Sequence, residues 1–329
     1  MPITGPGSFV PCLNLFLPHY EQVNTTLGAG GPLVLRNPNG PVPPTLNRAN
    51  LETWRNDLQT QHTAIEGQIN DWEIAGADLM DMKVALHLRA GQFNEKVRSQ
   101  LAGTHFERAL PVLPSPTDGQ ALFMKPMDDI STLWAKINAA VGIPGFTAPL
   151  LLMGGYTLAE FDTALGLLRG QFPTTTRAEF LVSYKIEERN AIQKLVYPTL
   201  KAYRLAVPTF FAADSPLVLT LPKLTPDPGS TPDPVNATGI WNAPTTQAKI
   251  TWTLSPAADL EKYEIRWSPG STYQSENEVV IGTVAAGGTL EFFTAQGLGQ
   301  VGAVSVFKVY VLTTTGNERG SNVVKITRP

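Results

Sequence analysis

The sequence predicts a mixed chain in which an α-helical bundle of about five helices, preceded by an extended Pro-rich arm, is joined to a C-terminal seven-stranded β-sandwich. Three observations predict it. Apolar residues recur at three- and four-residue steps through residues 45–212 and alternate with polar ones through residues 234–329. A proline-rich stretch, residues 213–233, stands between the two patterns. At 329 residues the chain exceeds one ordinary core and fits at least two domains.

Residues 1–44 read as the arm. Prolines at positions 2, 6, 11, 18, 32, 38, 41, 43 and 44 oppose a helix, and only Glu21 and Arg36 carry charge, which argues against a solvated tail. Such an arm lies either on its own subunit or on a neighbouring one. Leu33-Val34-Leu35 followed by Asn37-Pro38-Asn39-Gly40 reads as a short extended piece and a turn.

Next come the helices. Leu51, Trp54, Leu58, Ile65, Ile69 and Trp72 share one helical face, and Gly76 is expected to end that helix. A second helix is expected through Leu79, Met82, Leu86, Phe93, Val97 and Leu101, folding back on the first as an antiparallel hairpin. After a proline-punctuated loop, 109–126, a third runs from Asp128 to Val141 and buries Ile130, Leu133, Trp134 and Ile137. Thr157-Leu158-Ala159-Glu160 is a capping box that opens a fourth, with Phe161, Leu165 and Leu168 on its apolar face and Gly170 at its end. A second capping box, Thr176 to Glu179, opens a fifth through Leu181, Tyr184, Ile192 and Leu195, kinked or restarted at Pro198 and finished before Pro208.

Pro222 to Pro234 repeats Thr-Pro-Asp-Pro at 225–228 and 231–234, a composition that favours polyproline II and a semi-rigid spacer. Strands follow at 235–241, 249–254, 263–267, 279–284, 290–294, 304–313 and 322–327, separated by Gly-containing turns. Alternation places Ile250, Trp252 and Leu254 on one face, and Tyr263, Ile265 and Trp267 likewise.

Pro234-Val235 with Ala237-Thr238, Trp252, the Leu260, Tyr263, Ile265, Trp267 series, Val309 with Val311, Thr315-Gly316-Asn317 and Ser321-Asn322-Val323-Val324 together make residues 234–328 resemble a fibronectin type III domain. The resemblance implies an immunoglobulin-like sandwich acting as a binding, spacer or display module, and fold alone does not choose among these. Ser305 stands where that family usually has its corner tyrosine, and no Arg-Gly-Asp tripeptide occurs. Residues 1–222 resemble no family.

Composition narrows the functional classes. Charged residues make up 16%, against about 25% in typical soluble proteins, so much of the surface is expected to be covered by something other than water. A net charge of −3 without basic runs argues against a nucleic-acid partner. No apolar stretch is long enough to span a membrane. Met1 to Leu17 lacks the basic region and cleavage site of a signal peptide, which leaves cytoplasmic assembly or a leaderless export route, with an extracellular or virion-associated location open. The sequons at Asn24 and Asn236 matter only on a eukaryotic secretory route.

No residue pattern marks a catalytic, cofactor-binding or metal site. His19, His62, His87 and His105 form no His-Glu-x-x-His, although His62 and His87 would approach each other across the expected hairpin. Asp71, Glu73, Asp78 and Asp81 cluster at its turn without calcium-loop spacing. The adjacent pairs Asp128-Asp129 and Glu187-Glu188 diverge on a helix and make no acid/base couple. Gly28-Ala29-Gly30-Gly31 precedes Pro32 and an extended run instead of a phosphate-binding helix. Cys12, the single cysteine, sits among apolar residues and reads as a small hydrophobe. Of the six tryptophans, Trp54, Trp72, Trp252 and Trp267 fall on core faces, and a carbohydrate platform would require exposed rings.

The expected function is a non-enzymatic structural subunit assembling with copies of itself into a filament, tube, shell or surface layer. In this reading the helical domain and arm make the contacts and the sandwich is displayed outward. An alternative is an adhesin or carbohydrate- or protein-binding module of a phage particle or secretion apparatus, reading a glycan or surface protein through loops 268–277 and 315–320. A second is an enzyme with an unrecognised site in the helical domain.

Overall fold

The computed structural model describes residues 2–226 and 231–329 and divides the chain into two compact units. The first comprises residues 1–69, 181–298 and 303–329, and the second residues 70–180 and 299–302. This differs from the expected division, because the sandwich shares a unit with the N-terminal segment and with parts of two long helices.

Helix α1 spans Phe9–Leu27 and overturns the expectation of an extended arm. Pro11 stands in the first turn, where a backbone N–H has no helical partner to lose. Pro18 is a true interior proline, but it and Asn14, whose carbonyl it leaves unpaired, are both exposed, so water can take the vacated bond. Opposing that cost, Cys12, Leu13, Phe16, Leu17, Tyr20 and Val23 are all buried. They pack with Leu51, Leu58, Val196, Leu200, Tyr203 and Val207, so the segment contributes to its own protomer's core. Gly28, at φ 52°, ends the helix, which makes the Gly28–Gly31 run a helix stop. Strands β1 (Leu35–Arg36) and β2 (Thr45–Leu46) then form a two-stranded antiparallel ribbon.

The expected hairpin at Gly76 does not exist. Helix α2 is continuous over Arg48–Gln100 and passes through Gly76. Most of its expected core is buried, including Leu51, Leu58, Ile65, Ile69, Leu79, Leu86, Phe93, Val97 and Leu101, while Trp54, Trp72 and Met82 are half-buried. After the short α3 (His105–Arg108), α4 runs over Gln120–Ala139, starting eight residues earlier than expected and tolerating Pro126. Helix α5 spans Leu158–Phe210, merging the fourth and fifth expected helices. Its capping box at Thr157 forms: the backbone N–H of Thr157 donates to Glu160 at 2.7 Å and that of Glu160 to Thr157 Oγ1 at 3.3 Å. The second box, at Thr176, lies inside the helix and opens nothing. Pro173 and Pro198 follow the rule of Pro18, since Arg169 and Lys194, four residues earlier, are exposed.

The core of the second unit joins Leu86, Phe93 and Val97 of α2, Met127, Ile130, Trp134 and Ile137 of α4, and Phe161, Leu165 and Leu168 of α5. Trp134 donates its indole N–H to Leu150 O at 3.0 Å, so this fully buried ring leaves no polar group unpaired.

The expected spacer is partly packed. Helix α6 (Pro216–Leu219) follows α5, and Leu217 and Leu224 are buried with α1. Residues 227–230, in the middle of the Thr-Pro-Asp-Pro repeats, lie outside the described residues.

The strands are β3 (Ala237–Asn242), β4 (Gln247–Trp252), β5 (Leu260–Ser268), β6 (Val279–Ala285), β7 (Glu291–Thr294), β8 (Val304–Thr313), β9 (Glu318–Gly320) and β10 (Val324–Thr327). They form a three-stranded sheet, β3-β4-β7, and a second sheet in the order β10-β8-β5-β6, with β9 added to β8. At a coarse level this is a fibronectin type III-like arrangement. Trp252 and Trp267 are buried as expected. Leu254 is exposed, because β4 ends at Trp252 and the alternation stops with it. Ser305 acts in the core, accepting the indole N–H of Trp267 at 2.8 Å and donating to Gln296 O at 2.8 Å. A tyrosine does fasten a loop, but from β5: Tyr263 Oη accepts the backbone N–H of Ser255 at 2.9 Å.

Candidate functional site

The unusual chemistry of the first unit lies on the outer face of β5. Residues 263–268 are all buried, although alternation points Tyr263, Ile265 and Trp267 into the sandwich and Glu264, Arg266 and Ser268 away from it. The outward side is covered in part by residues 3–6. Gly5 lies so close that a Cβ there would stand 2.6 Å from Arg266 Nη1, so a larger residue would have to displace the guanidinium. Ile3 N–H donates to Leu224 O at 3.0 Å, and Gln193 Nε2 donates to Pro6 O at 2.8 Å.

Under this strap Arg266 meets three carboxylates. It donates to Glu264 Oε2 at 2.8 and 3.1 Å, to Glu278 Oε1 at 2.8 Å, and to Glu318 at 2.5 and 3.0 Å. Its guanidinium also stacks 3.9 Å from the Tyr310 ring centre. Burial disfavours the cation, but the hydrogen bond and charge of Glu318, with the charges of Glu278 and Glu264, more than reverse this and raise its pKa. Tyr273 and Tyr310 donate to Glu278 Oε2 at 2.5 and 3.0 Å. Burial first and the Glu278 charge second push the Tyr310 hydroxyl up to about 12.

A second buried arginine, Arg189 of α5, sits differently. It is 5% exposed and reaches only neutral oxygens: Asn190 Oδ1 at 2.8 and 3.1 Å, Glu276 O at 3.0 Å and Glu278 O at 2.9 Å. It borders a cleft of about 430 Å³ that Phe9, Leu58, His62 and Val280 also line. A second cleft, of about 650 Å³, lies beside the strap and is richer in acidic groups, with Glu187, Glu276, Glu278 and Glu318 in its wall.

These contacts also occupy the two loops expected to recognise a ligand. In Ser268–Asn277, Glu276 O accepts from Arg189 and Asn277 Oδ1 accepts from Asn190 Nδ2 at 3.4 Å. In Thr315–Gly320, Glu318 is bound to Arg266, and Gly316 lies against the Pro2 ring.

The other nominated residues are scattered. His62 and His87 lie on one continuous helix, so no turn folds one back toward the other. His62 Nε2 is 3.3 Å from Glu66, and His87 Nδ1 is 2.9 Å from Pro114 O. Asp71, Glu73, Asp78 and Asp81 are spread along the same helix, and among the described residues no group of three or more His, Cys, Asp or Glu could hold a metal ion. Asp128 pairs with Arg169, Asp129 with Lys125, and Glu188 with Lys185, the last at 2.7 Å. Burial pushes the Cys12 thiol up to about 11, as suits a small hydrophobe. None of the six tryptophans is exposed. No helix among the described residues is long and apolar enough to cross a membrane.

Sequence reasoning missed Arg189, Arg266 and Glu278. The available signal was opposite charges at alternate positions of one strand, Glu264 and Arg266, which ordinarily marks a solvated face.

The residues that trace the fifth expected helix do not share one face of α5: Ile192 packs partly buried against the core, while Tyr184 and Leu195 lie on the outer side. Val182, Ile186, Val196, Leu200, Tyr203 and Val207 face the core, whereas Tyr184, Leu195 and Leu205 are 49%, 36% and 68% exposed. With Ala191, Pro198 and Ala202 these three repeat at steps of three, four and seven. At 100° per residue they fall within an arc of about 80°, opposite the core face.

No family profile matches the sequence, and no curated protein matches it at a significant level. Among solved structures, an Fn3-like protein from Clostridium thermocellum is similar at 18% identity, covering 30% of this chain and 96% of that one, with a TM-score of 0.25. Pectate lyase Pel3 from Pectobacterium carotovorum is similar at 12% identity over 28% of this chain and 27% of that one, with a TM-score of 0.24. Pectate lyase PelI from Erwinia chrysanthemi, solved with tetragalacturonic acid, is similar at 16% identity over 28% of each chain, also at 0.24. The chain spans little more than a quarter of the length of these lyases, and likenesses of this size assign no activity.

Proposed function

We propose that this chain is a non-enzymatic structural subunit that associates with copies of itself, using the outward face of α5 as a contact. The observation that supports this most is the second apolar stripe on that helix. A helix whose single role is to cover a core presents one apolar face and a charged opposite face, and this one presents Tyr184, Leu195 and Leu205 on the far side. The charged fraction of 16% points the same way.

The stripe is self-complementary. In an antiparallel two-fold pairing centred between Lys194 and Leu195, Tyr184 of one copy lies beside Leu205 of the other and Ala191 beside Pro198, with Glu187 within reach of Lys201. The N-terminal segment is not the contact expected of an arm, since α1 packs into its own protomer's core. A two-fold contact yields a dimer, and growth into a filament or layer requires a second surface. The groove of about 720 Å³ in the second unit, with exposed Leu88 and Met153 in its wall, is the candidate for it.

Sedimentation velocity of the full chain from about 1 to 100 μM tests the reading, with self-association rising with concentration. Leu195→Glu with Leu205→Glu is expected to weaken it at least tenfold while leaving the circular dichroism unchanged. A wild-type chain that stays monomeric at the highest concentration overturns it.

A further inference from the structure

Two arginines are almost equally buried in the first unit, and their surroundings are opposite. Arg266 has three carboxylates, whereas Arg189 forms no ion pair with any described residue. Burying a cation among neutral oxygens costs several kcal/mol that an anion would return. Burial accordingly lowers the Arg189 pKa to about 10, an effect that the charges of Glu278 and Glu187 offset only in part. The four hydrogen bonds described above use four of its five N–H groups, leaving one on Nη1 without a partner among the described residues.

The cleft beside this group is amphiphilic. Phe9, Val10, Leu58 and Val280 supply apolar wall, and Gln59 and Thr63 of α2 supply polar groups. Its volume, about 430 Å³, lies within the range of small-molecule sites. A dianion such as phosphate is disfavoured, since Glu278 borders the same space and a single arginine N–H is available. A monoanion with an apolar body satisfies both constraints.

We propose that the cleft bordered by α1, α2, α5 and the start of β6 binds an amphiphilic carboxylate, its carboxylate on Arg189 Nη1 and its apolar body along Phe9, Val10, Leu58 and Val280. The site is independent of the self-association surface, which occupies the opposite face of α5.

The test is calorimetric titration of the full chain with octanoate, 1-octanol and octylammonium. Octanoate is expected to bind at least tenfold more tightly than octanol, and octylammonium not at all. Arg189→Met is expected to abolish the preference for octanoate over octanol. Because that variant also loses contacts to residues 276 and 278, Thr63→Trp provides a second arm. Thr63 is exposed on α2 in the wall of the cleft and is not a hydrogen-bond partner of Arg189, so an indole there narrows the cleft while the four Arg189 bonds keep their partners. It is expected to weaken octanoate binding at least tenfold with an unchanged thermal midpoint. Equal binding of octanoate and octanol, undiminished binding by Thr63→Trp, or no binding at about 10 mM octanoate overturns the proposal.

Discussion

Replacing Arg266 by methionine should be among the most destabilising single changes in the first unit, and replacing Arg189 by methionine should not. The difference lies in what each change strands. Without Arg266, Glu278 keeps two tyrosine hydroxyls and Glu264 keeps Lys262 at 3.0 Å. Glu318 keeps no ion pair among the described residues, with its side chain 9% exposed. Breaking a buried ion pair from one side costs about 3–5 kcal/mol. Removing Arg189 instead leaves neutral oxygens unsatisfied, at about 1–2 kcal/mol, and relieves the burial of a charge without a counterion. Urea unfolding followed by tryptophan fluorescence reads the contrast, because Trp252 and Trp267 are buried in the sandwich. With a slope of about 2 kcal/mol per molar, Arg266→Met should lower the midpoint of the first unit's transition by roughly 2 M and Arg189→Met by less than about 1 M. Midpoints that fall by the same amount refute the reasoning, because stranding the Glu318 carboxylate would then cost no more than leaving neutral oxygens unsatisfied.

Trp252→Ala should cost about 3–5 kcal/mol by the same assay, since it empties a 5%-exposed site beside Tyr263. Gly239→Ala should cost about 1–3 kcal/mol, because the new methyl would lie 2.5 Å from Val324 and 2.6 Å from Ile326, and thermal unfolding measures it. Cys12 should resist a thiol reagent at pH 8 until the protein unfolds: a thiol held at about 11 rather than near 9 carries roughly a hundredfold less thiolate. The sign of the linked stability follows from the unfolded chain ionising first. Protection is complete below pH 9 and is lost as pH rises from 9 to 11, by up to about 3 kcal/mol, which a comparison with Cys12→Ser isolates.

The strands were legible because turns and alternation are local signals, and each expected strand has its counterpart in the sandwich. The capping box at Thr157 was legible for the same reason. The one at Thr176 misled, because a favourable local start carries no weight once flanking residues such as Phe172 and Val182 are already buried in one helix. Gly76 and the prolines of α1 misled likewise. Propensity penalties of about 1–3 kcal/mol were set against burial of residues such as Phe16 and Tyr20, whose partners lie far away in sequence. The site was illegible for a stronger reason. Arg189 meets backbone carbonyls 87 and 89 residues away, and no composition or period announces a contact made to a carbonyl.

The strap over β5 imposes an order of events during synthesis. Pro6 emerges from the ribosome 187 residues before the glutamine that will hold it, and Ile3 earlier still relative to Leu224. At about 5–20 residues per second, the first of these intervals lasts roughly 10–40 s. Through that time the apolar side of α1 has no finished core to enter, so a nascent chain of this protein should depend on holding factors more than its helical content suggests.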